Sequence, residues 1–317
     1  MHFPFALAHE KEFDAVGFGL NAVDHLVVVP AYPAFDTKTR LREHVQAAGG
    51  QTATAMVALQ RLGLRTAYAG RFGSDMEGQF GLATVRDEGV DVSHAEMIEG
   101  ARTQLAFIII DARYGERTII WDRDDRLAYD ALDAPTVMAA RGRVLHLDAH
   151  DPPACASMAR AARAAATLVS ADIDNIYEGL PELLPLVDIL ISSKEFPHRL
   201  TGIHDPRASL VELKARYGCP MVGMTLGTRG ALLYCDGVFL ESPALEVPGG
   251  CRDTTGAGDA FHAGFLYGLL RGEEIETGLR FANATASLKC RSLGARTSLP
   301  TELELAEFIG RNPPAIS

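Results

Sequence analysis

The composition of the chain is that of an acidic protein with a large core. Its 317 residues are 47 % hydrophobic, which is more than a disordered chain contains and enough to bury a sizeable core. The net charge of −11 argues against nucleic acid or an anionic membrane as a partner, because both select basic surfaces. The sequence contains no run of 18 apolar residues and no signal-peptide pattern, so we expect a cytoplasmic protein.

The five cysteines are scattered along the chain and include no CxxC pair: Cys155, Cys219, Cys235, Cys251 and Cys290. This spacing indicates neither a disulfide framework nor a zinc site. We expect them to be small apolar residues in a reducing compartment.

Short apolar segments alternate with longer helical patterns, which is typical of βα units around a mostly parallel sheet. The predicted strands of that sheet are 14–19, 66–70, 143–148, 167–172, 187–191 and 220–226. The predicted helices are 50–62, 76–88, 153–165, 207–216, 259–271, 276–290 and 301–310. Strands without intervening helices are predicted at 23–32 with 39–47, and at 103–110 with 116–121. We therefore expect one α/β domain over residues 1–317, with a small β structure from about 23–47 and 101–123.

Residues 253–261, which read DTTGAGDAF, combine a glycine turn with a carboxylate at the start of a predicted helix. Gly256 and Gly258 leave the backbone free to turn, and the N–H groups of a helix N-terminus bind anions such as phosphate. Asp259 is placed to take the proton of an attacking hydroxyl group. For GAGD alone, a simple helix N-cap would be the better interpretation.

The full string resembles the C-terminal signature of the ribokinase-like carbohydrate kinases, the PfkB family, and the similarity extends from about residue 13 to residue 308. The resemblance implies a three-layer α/β/α sandwich with a mostly parallel sheet and a small β lid over the sugar site. It also implies transfer of a phosphoryl group from ATP, with magnesium, to a sugar hydroxyl. In this scheme Asp259 is the catalytic base, and Gly256, Ala257 and Gly258 form the anion hole. In relatives the lid is often shared in a homodimer.

The first predicted strand runs into GxGxxA, from Gly17 to Ala22, a pattern that also occurs in dinucleotide-binding folds. Those folds need a helix directly afterwards, whereas the next residues are β-branched and end at a proline, so we reject that interpretation. The resemblance instead places Asn21 and Asp24 at the sugar, where a carboxylate can accept hydrogen bonds from two hydroxyl groups.

Residues 48–63 resemble the N-terminal signature of the family, a diglycine followed by a helix. The resemblance implies that Gly49, Gly50 and Thr54 contact the sugar. Relatives commonly carry Asn or Lys at Gln51 and Asn at Thr54, so we expect the recognised pattern of hydroxyl groups to differ here. A diglycine before a helix is also ordinary turn chemistry.

His146, Asp148 and His150 alternate at the end of the predicted strand 143–148. This spacing would permit metal ligation. Ligands of open α/β sheets bind at the carboxyl ends of the strands, however, so we expect Asp148 or His150 to contact the sugar.

The nucleotide side of the site follows from the resemblance of residues 188–202, 225–234 and 281–300 to family segments. The residues implied at the nucleotide are Ser193, Thr225, Gly227, Gly230 and Asn283. Ser193 and Phe196 occupy the ends of the family's NxxE segment, and Glu195 is expected to hold magnesium through water in place of the missing glutamate.

Some relatives enclose a potassium ion, and the resemblance carries its ligands to Asp253, Thr255, Lys289, Ser292, Gly294 and Ser298. Lys289 would contribute only its backbone oxygen. A potassium requirement is therefore an expectation that the sequence leaves open.

The function predicted from these motifs is ATP-dependent phosphorylation of a small sugar, with no nucleic acid or membrane partner. The segments ERTIIWDRDD, HLDAH and SSKEF look closer to ketohexokinase-like and sulfosugar-kinase-like members, so a ketose such as fructose is the first acceptor that we expect. A nucleoside kinase of the same family is an alternative, and Trp121 in the predicted lid is compatible with it. A non-catalytic sugar or nucleotide sensor is another, against which the retained Asp259 argues.

Overall fold

The structure is a computed structural model and describes residues 1–113 and 117–313. Its strands are β1 (Phe13–Phe18), β2 (Ala22–Val29), β3 (Glu43–Gly49), β4 (Thr66–Ala69), β5 (Arg71–Gly73), β6 (Glu96–Ile98), β7 (Leu105–Asp111), β8 (Arg117–Asp122), β9 (Gly142–Leu147), β10 (Leu168–Ile173), β11 (Ile189–Ser193), β12 (Met221–Thr225), β13 (Ala231–Cys235) and β14 (Val238–Ser242). Its α-helices are α1 (Gln51–Arg61), α2 (Met76–Asp87), α3 (Thr136–Ala139), α4 (Pro152–Ala164), α5 (Leu180–Leu183), α6 (Glu195–Thr201), α7 (Pro206–Tyr217), α8 (Ala257–Leu270), α9 (Ile275–Lys289) and α10 (Glu302–Arg311).

Eight strands form the central sheet, in the order β14-β13-β12-β11-β10-β9-β1-β4. The pairs from β4 to β12 are parallel, whereas β13 pairs antiparallel with both β12 and β14. The predicted fold class is confirmed. Each predicted strand of this sheet and each predicted helix agrees with the structure to within two residues.

Consecutive side chains of each strand point to opposite faces of the sheet, and helices cover both faces. In β1, Ala15 packs with α1, α8 and α9 in one apolar cluster, while Val16 packs with α4 and α7 in the other. These two layers of helices complete the three-layer sandwich. Within the described residues, no helix is both long enough and apolar enough to cross a membrane.

Strands β13 and β14 were not predicted, although the sequence carries a signal for them. They form a hairpin whose two turn residues, Asp236 and Gly237, have φ values of 49° and 80°. An Asp-Gly pair between apolar runs is a typical two-residue hairpin turn. The short pair β5 and β6 was also not predicted.

A second sheet of four strands, in the order β3-β2-β7-β8, forms from the segments predicted as lid strands. Strand β3 begins at Glu43, four residues later than predicted, and the preceding residues 36–42 are exposed. Glu116, with which the last predicted lid strand begins, lies outside the described residues. We call this sheet the lid. Its inner face packs Leu26 and Ile108 against Leu293 of the main domain.

Candidate active site

The loop that leads into α8 is held in place by the side chain of Asp253. Its Oδ1 accepts a hydrogen bond from the N–H of Thr255, and its Oδ2 accepts one from the N–H of Gly294, both at 2.8 Å. Gly256 caps the helix with a left-handed φ of 78°, and a Cβ there would lie 2.8 Å from Ala295. Both conformation and space therefore require glycine at position 256.

Free N–H groups mark the start of α8. Those of Gly256, Gly258 and Asp259 donate to no acceptor among the described residues, whereas the N–H of Ala257 donates to the Thr254 carbonyl oxygen at 3.1 Å. Gly258 is exposed, and a Cβ built there meets open space. Unpaired N–H groups at the positive end of a helix bind anions. The loop thus has the chemistry of a phosphate site, although the N–H of Ala257 already donates a hydrogen bond within the turn.

Asp259 lies in the first turn of α8 and is only 9 % exposed. Its carboxylate accepts no hydrogen bond within the described part of the chain. Burial raises the pKa of Asp259 well above its usual value, the carboxylates of Asp172 and Asp24 raise it further, and Arg296 opposes them. A base whose pKa lies closer to neutrality can both receive a proton and release it.

Asp24 is brought to the same site by β2 of the lid. It is 5 % exposed and, like Asp259, has no hydrogen-bond donor among the described residues. Burial raises the pKa of Asp24 to about 6, against the effect of the neighbouring Arg296. Gly49, at the end of β3, makes room for it, because a Cβ there would lie 2.2 Å from Asp24 Oδ2. The carboxylate is therefore available to hydroxyl donors from a ligand.

Arg296 is a site residue that sequence reasoning missed. Its Nε donates to Thr54 Oγ1 and its Nη1 to Thr84 Oγ1, both at 3.2 Å, and its Nη2 donates to the Gly49 carbonyl oxygen. Burial lowers the pKa of Arg296 to about 10. The guanidinium is thus bound to neutral oxygens and acts on the two carboxylates from a distance. No local sequence pattern marked it, because its partners lie more than 200 residues away in the chain.

Asn21 and Gly50 shape the turn beside the lid strands. The Nδ2 of Asn21 donates to Tyr68 Oη at 3.0 Å and to the Arg71 carbonyl oxygen at 2.9 Å. Gly50 has a φ of 91°, and a Cβ there would lie 2.3 Å from Asn21 Cα. Only the amide oxygen of Asn21 therefore remains for a sugar, and the hydroxyl of Thr54 is already engaged by Arg296.

His150 belongs to a group of rings at the mouth of the site. Its ring lies 4.8 Å from that of Tyr177 and 6.2 Å from that of Trp121, which the lid contributes and which is 57 % exposed. Burial lowers the pKa of His150. His146, in contrast, is a core residue whose Nδ1 lies 3.2 Å from Ser170 Oγ, and burial lowers its pKa to about 3.

Asp148 is fully buried and accepts hydrogen bonds from the N–H of Leu20 at 2.5 Å and from Thr52 Oγ1 at 2.8 Å. It therefore ties the end of β9 to the end of β1 and to α1. Within the described residues, no group of three or more histidines, cysteines and acids could hold a metal ion.

The residues predicted at the nucleotide lie together at the edge of the sheet. The N–H of Leu226 donates to the Gly230 carbonyl oxygen at 2.7 Å, and a Cβ at Gly230 would lie 2.0 Å from the Ser242 carbonyl oxygen. The Nδ2 of Asn283 donates to Ser242 Oγ at 2.9 Å. A cleft of about 340 Å³ lies here, lined by Leu226, Arg229 and Ser242 among others. Thr225, Gly227, Gly230 and Asn283 are not among the described residues that line this cleft.

Ser193 ends β11 and Glu195 begins α6, while Phe196 is fully buried in the core. Phe196 therefore cannot offer a ligand. Glu195 is exposed, and its Oε1 lies 3.7 Å from Lys194 Nζ. A hydroxyl and an exposed carboxylate suit magnesium, which takes few protein ligands and retains water.

Two expected potassium ligands are already engaged. Lys289 Nζ donates to the Asp253 carbonyl oxygen at 2.9 Å, and Ser298 Oγ donates to the Lys289 carbonyl oxygen at 2.5 Å. The buried hydroxyl of Thr255 has no partner among the described residues.

Comparison with known proteins relates this geometry to one family. The chain is 30 % identical to fructokinase-1 of Zea mays, over an alignment that covers 93 % of this chain and 97 % of that protein. It is 26 % identical to a nucleoside kinase of Methanothermobacter thermautotrophicus, with 92 % and 93 % covered. The solved structure of fructokinase with bound ATP from Xylella fastidiosa superimposes with a TM-score of 0.79 at 25 % identity, covering 94 % of this chain and 98 % of that one.

The model of the pfkB family carbohydrate kinases matches residues 18–302. This match includes the lid strands, the diglycine and the loop before α8. The chain therefore belongs to the pfkB family and is a sugar or nucleoside kinase.

Proposed function

We propose that this kinase transfers the γ-phosphoryl group of ATP to a hydroxyl group of a small sugar, and that a ketose such as fructose is the first acceptor to test. The observation that carries the proposal is Asp259, a buried carboxylate without a hydrogen-bond partner among the described residues, next to free N–H groups. The similarity to fructokinase-1 of Zea mays supports a ketose.

In the proposed mechanism, Asp259 receives the proton of the acceptor hydroxyl as its oxygen attacks phosphorus. The N–H groups of Gly256 and Gly258 stabilise the negative charge on the transferring group, in the manner of an oxyanion hole. The raised pKa of Asp259 supports this role. Arg296 lowers the pKa of this carboxyl group against the effect of burial and so favours the ionised form that acts as a base.

The acceptor is held from the lid side by Asp24, which accepts hydrogen bonds from two hydroxyl groups of the sugar. Gly49 and Gly50 let the backbone come close to the ligand. Asn21, Thr54 and His150 complete the proposed sugar pocket, Thr54 through its contact with Arg296. Closure of the lid excludes the water that would otherwise compete for the phosphoryl group.

In the proposed arrangement the donor nucleotide lies beside Thr225, Gly227, Gly230 and Asn283, as the family resemblance implies. Ser193 and Glu195 would hold magnesium, which neutralises phosphate charge when it is bound. The use of ATP suits a cytoplasmic enzyme, as do the five free cysteines.

The outer face of the lid suggests a homodimer. His25, Phe107 and Ile120 are neighbours across β2, β7 and β8. Phe107 and Ile120 are 49 % and 56 % exposed, and an apolar patch on a sheet face favours contact with a second copy. Light scattering of the purified protein tests this assembly, and a mass of one chain at all concentrations would contradict it.

The proposal is tested by a panel of sugars and nucleosides assayed for ADP release with ATP and magnesium. We expect fructose or another ketose to give the highest kcat/KM and nucleosides to give little turnover. Equal ADP release with and without any acceptor would contradict transfer to a hydroxyl group.

The nucleoside kinase is the second candidate, because the group formed by Trp121, His150 and Tyr177 could stack on a base. In the same panel, a nucleoside that exceeds all sugars would favour this candidate. Trp121→Ala then separates the two, since a sugar acceptor would lose little affinity and a nucleoside would lose about tenfold or more.

A further inference from the structure

Lys289, at the last position of α9, has a fully buried ammonium group. Its side chain is 0 % exposed. Lys289 Nζ donates to the Asp253 carbonyl oxygen at 2.9 Å and lies 3.7 Å from Asp253 Oδ2. Burial lowers the pKa of Lys289, and Asp253 opposes this effect. A buried charge persists only where its surroundings compensate for the lost water, so this lysine and Asp253 form a unit.

This unit holds the loop before α8. Each carboxylate oxygen of Asp253 accepts a backbone hydrogen bond, one from Thr255 and one from Gly294. The N–H of Arg252 donates to the Cys290 carbonyl oxygen at 2.9 Å, directly after Lys289. The end of α9 and the start of α8 are thus fixed to each other. The ammonium lies beneath the segment whose N–H groups are free.

A potassium ion does not suit this arrangement. The carbonyl oxygen of Asp253, one expected ligand, already faces a positive charge, and the Lys289 carbonyl oxygen is engaged by Ser298. Arg117 of the lid adds a second positive charge near the ammonium. A potassium ion placed at Asp253 beside the ammonium would be repelled by both charges at low dielectric. The unpartnered hydroxyl of Thr255 does not by itself make a cation site.

We propose that the Lys289 ammonium is the built-in cation of this loop, which holds residues 253–258 in their anion-binding form, so that turnover requires no external monovalent cation. Lys289 is a positioning residue, because it acts through Asp253 and contacts no reacting atom. The inference rests on the proposed role of the loop in catalysis. A lysine that served only in packing would have no effect on the dependence of turnover on monovalent cations.

The first test uses the wild-type protein, transferred into buffer whose only monovalent cation is tetramethylammonium. We expect potassium at equal ionic strength to change kcat by less than about twofold and to leave the melting temperature unchanged, since an ion that binds the folded state would raise it. A large potassium activation of kcat together with a raised melting temperature would overturn the inference.

The second test uses Lys289→Met, which keeps the stem of the side chain and removes the charge. We expect kcat to fall, by less than the about 10²- to 10³-fold that follows loss of an oxyanion-hole donor because Lys289 acts only through Asp253, with partial recovery in potassium or ammonium. The affinities for ATP and sugar should change little. Lys214→Met is the matched control, because Lys214 donates to the Pro220 carbonyl oxygen away from the site, and it should respond to no cation.

Wild-type kcat in Lys289→Met without potassium would overturn the inference. If Lys289→Met does not fold, Lys289→Arg keeps the charge and should remain independent of potassium, and a potassium requirement there would count against the inference. The melting temperatures need no acceptor. They decide the cation question even if the panel shows no ADP release with any acceptor, which would instead count against the proposed function.

Discussion

Lys289 and Arg296 are two buried cations close together in sequence. Lys289 forms an ion pair with its neighbouring carboxylate, whereas Arg296, within the described part of the chain, forms no hydrogen bond to either of the carboxylates near it. Lys289 is paired with Asp253, whose oxygens are both occupied by backbone N–H groups. Arg296 spends its donors on neutral oxygens and leaves Asp24 and Asp259 without a hydrogen bond among the described residues. Buried polar groups in proteins are normally satisfied. The satisfied acid holds the loop, and the two unsatisfied acids are the ones that we propose contact substrate.

The largest effect is expected from the unsatisfied acid on α8. Asp259→Asn keeps the shape of the side chain and removes the base, so kcat should fall by roughly 10²- to 10⁴-fold with little change in substrate affinity. Steady-state kinetics and calorimetry measure the two quantities. Asp75→Asn is the control, because Asp75 is the N-cap of α2 and its loss should spare kcat. Near-normal turnover in Asp259→Asn would show that this residue is only a helix-terminal acid.

The second effect is expected from the unsatisfied acid of the lid. Asp24→Ala leaves two sugar hydroxyls unpaired in a closed site, at about 1.5–3 kcal/mol for each charge-assisted bond. Sugar affinity should therefore fall about tenfold or more, while ATP binding without sugar stays nearly constant. Calorimetry with each ligand separately checks both statements. Loss of ATP binding as well would mean that Asp24 is structural.

A smaller effect is expected when the distant cation is removed. Arg296 opposes the raised pKa of Asp259, so Arg296→Met should raise it further. Activity needs the ionised base, and the acidic limb of the kcat/KM profile should therefore move to higher pH by about one unit. Arg296→Lys should restore much of the shift. Arg143→Met is the control, since Arg143 lies at the start of β9 and pairs with Asp14; an equal shift there would contradict the argument.

The last effect concerns stability rather than activity. The pKa of Asp24 is about 6 in the folded protein, above its usual value of 3.8, so the folded state loses stability as pH rises through this interval. At pH 8 Asp24→Asn should raise the free energy of unfolding by up to about 3 kcal/mol, and the gain should shrink towards pH 4. Urea unfolding at several pH values measures it. A stability loss at pH 8 would show that the carboxylate has a partner.

Asp75→Asn serves here as a control of opposite sign. Although desolvation acts to raise the pKa of Asp75, hydrogen bonds from Thr103 and Gly78 lower it below its usual value. The stability that this acid contributes is therefore present above its unfolded pKa and lost as pH falls, so its removal should cost stability at neutral pH.

The fold was predictable because periodicity reports burial. Strand β1 and helix α8, for example, lie within two residues of their predicted bounds, since a buried strand and an apolar helix leave clear patterns. The loop before α8 was predictable from its glycines. Arg296 was not, because its partners Gly49, Thr54 and Thr84 are more than 200 residues away in sequence. The contact of the Lys289 ammonium with Asp253 was missed as well, because the local sequence does not show which residue a lysine side chain contacts.

The close approach of Gly49 to Asp24 couples two positions on adjacent lid strands. A methyl group at position 49 would occupy the space of a carboxylate oxygen, at 2.2 Å, so any side chain at 49 requires the carboxylate of Asp24 to move. Substitutions at the two positions are therefore strongly non-additive. A library that varies one position at a time will recover inactive variants at position 49. Redesign of the acceptor pocket along these strands requires both positions to change together.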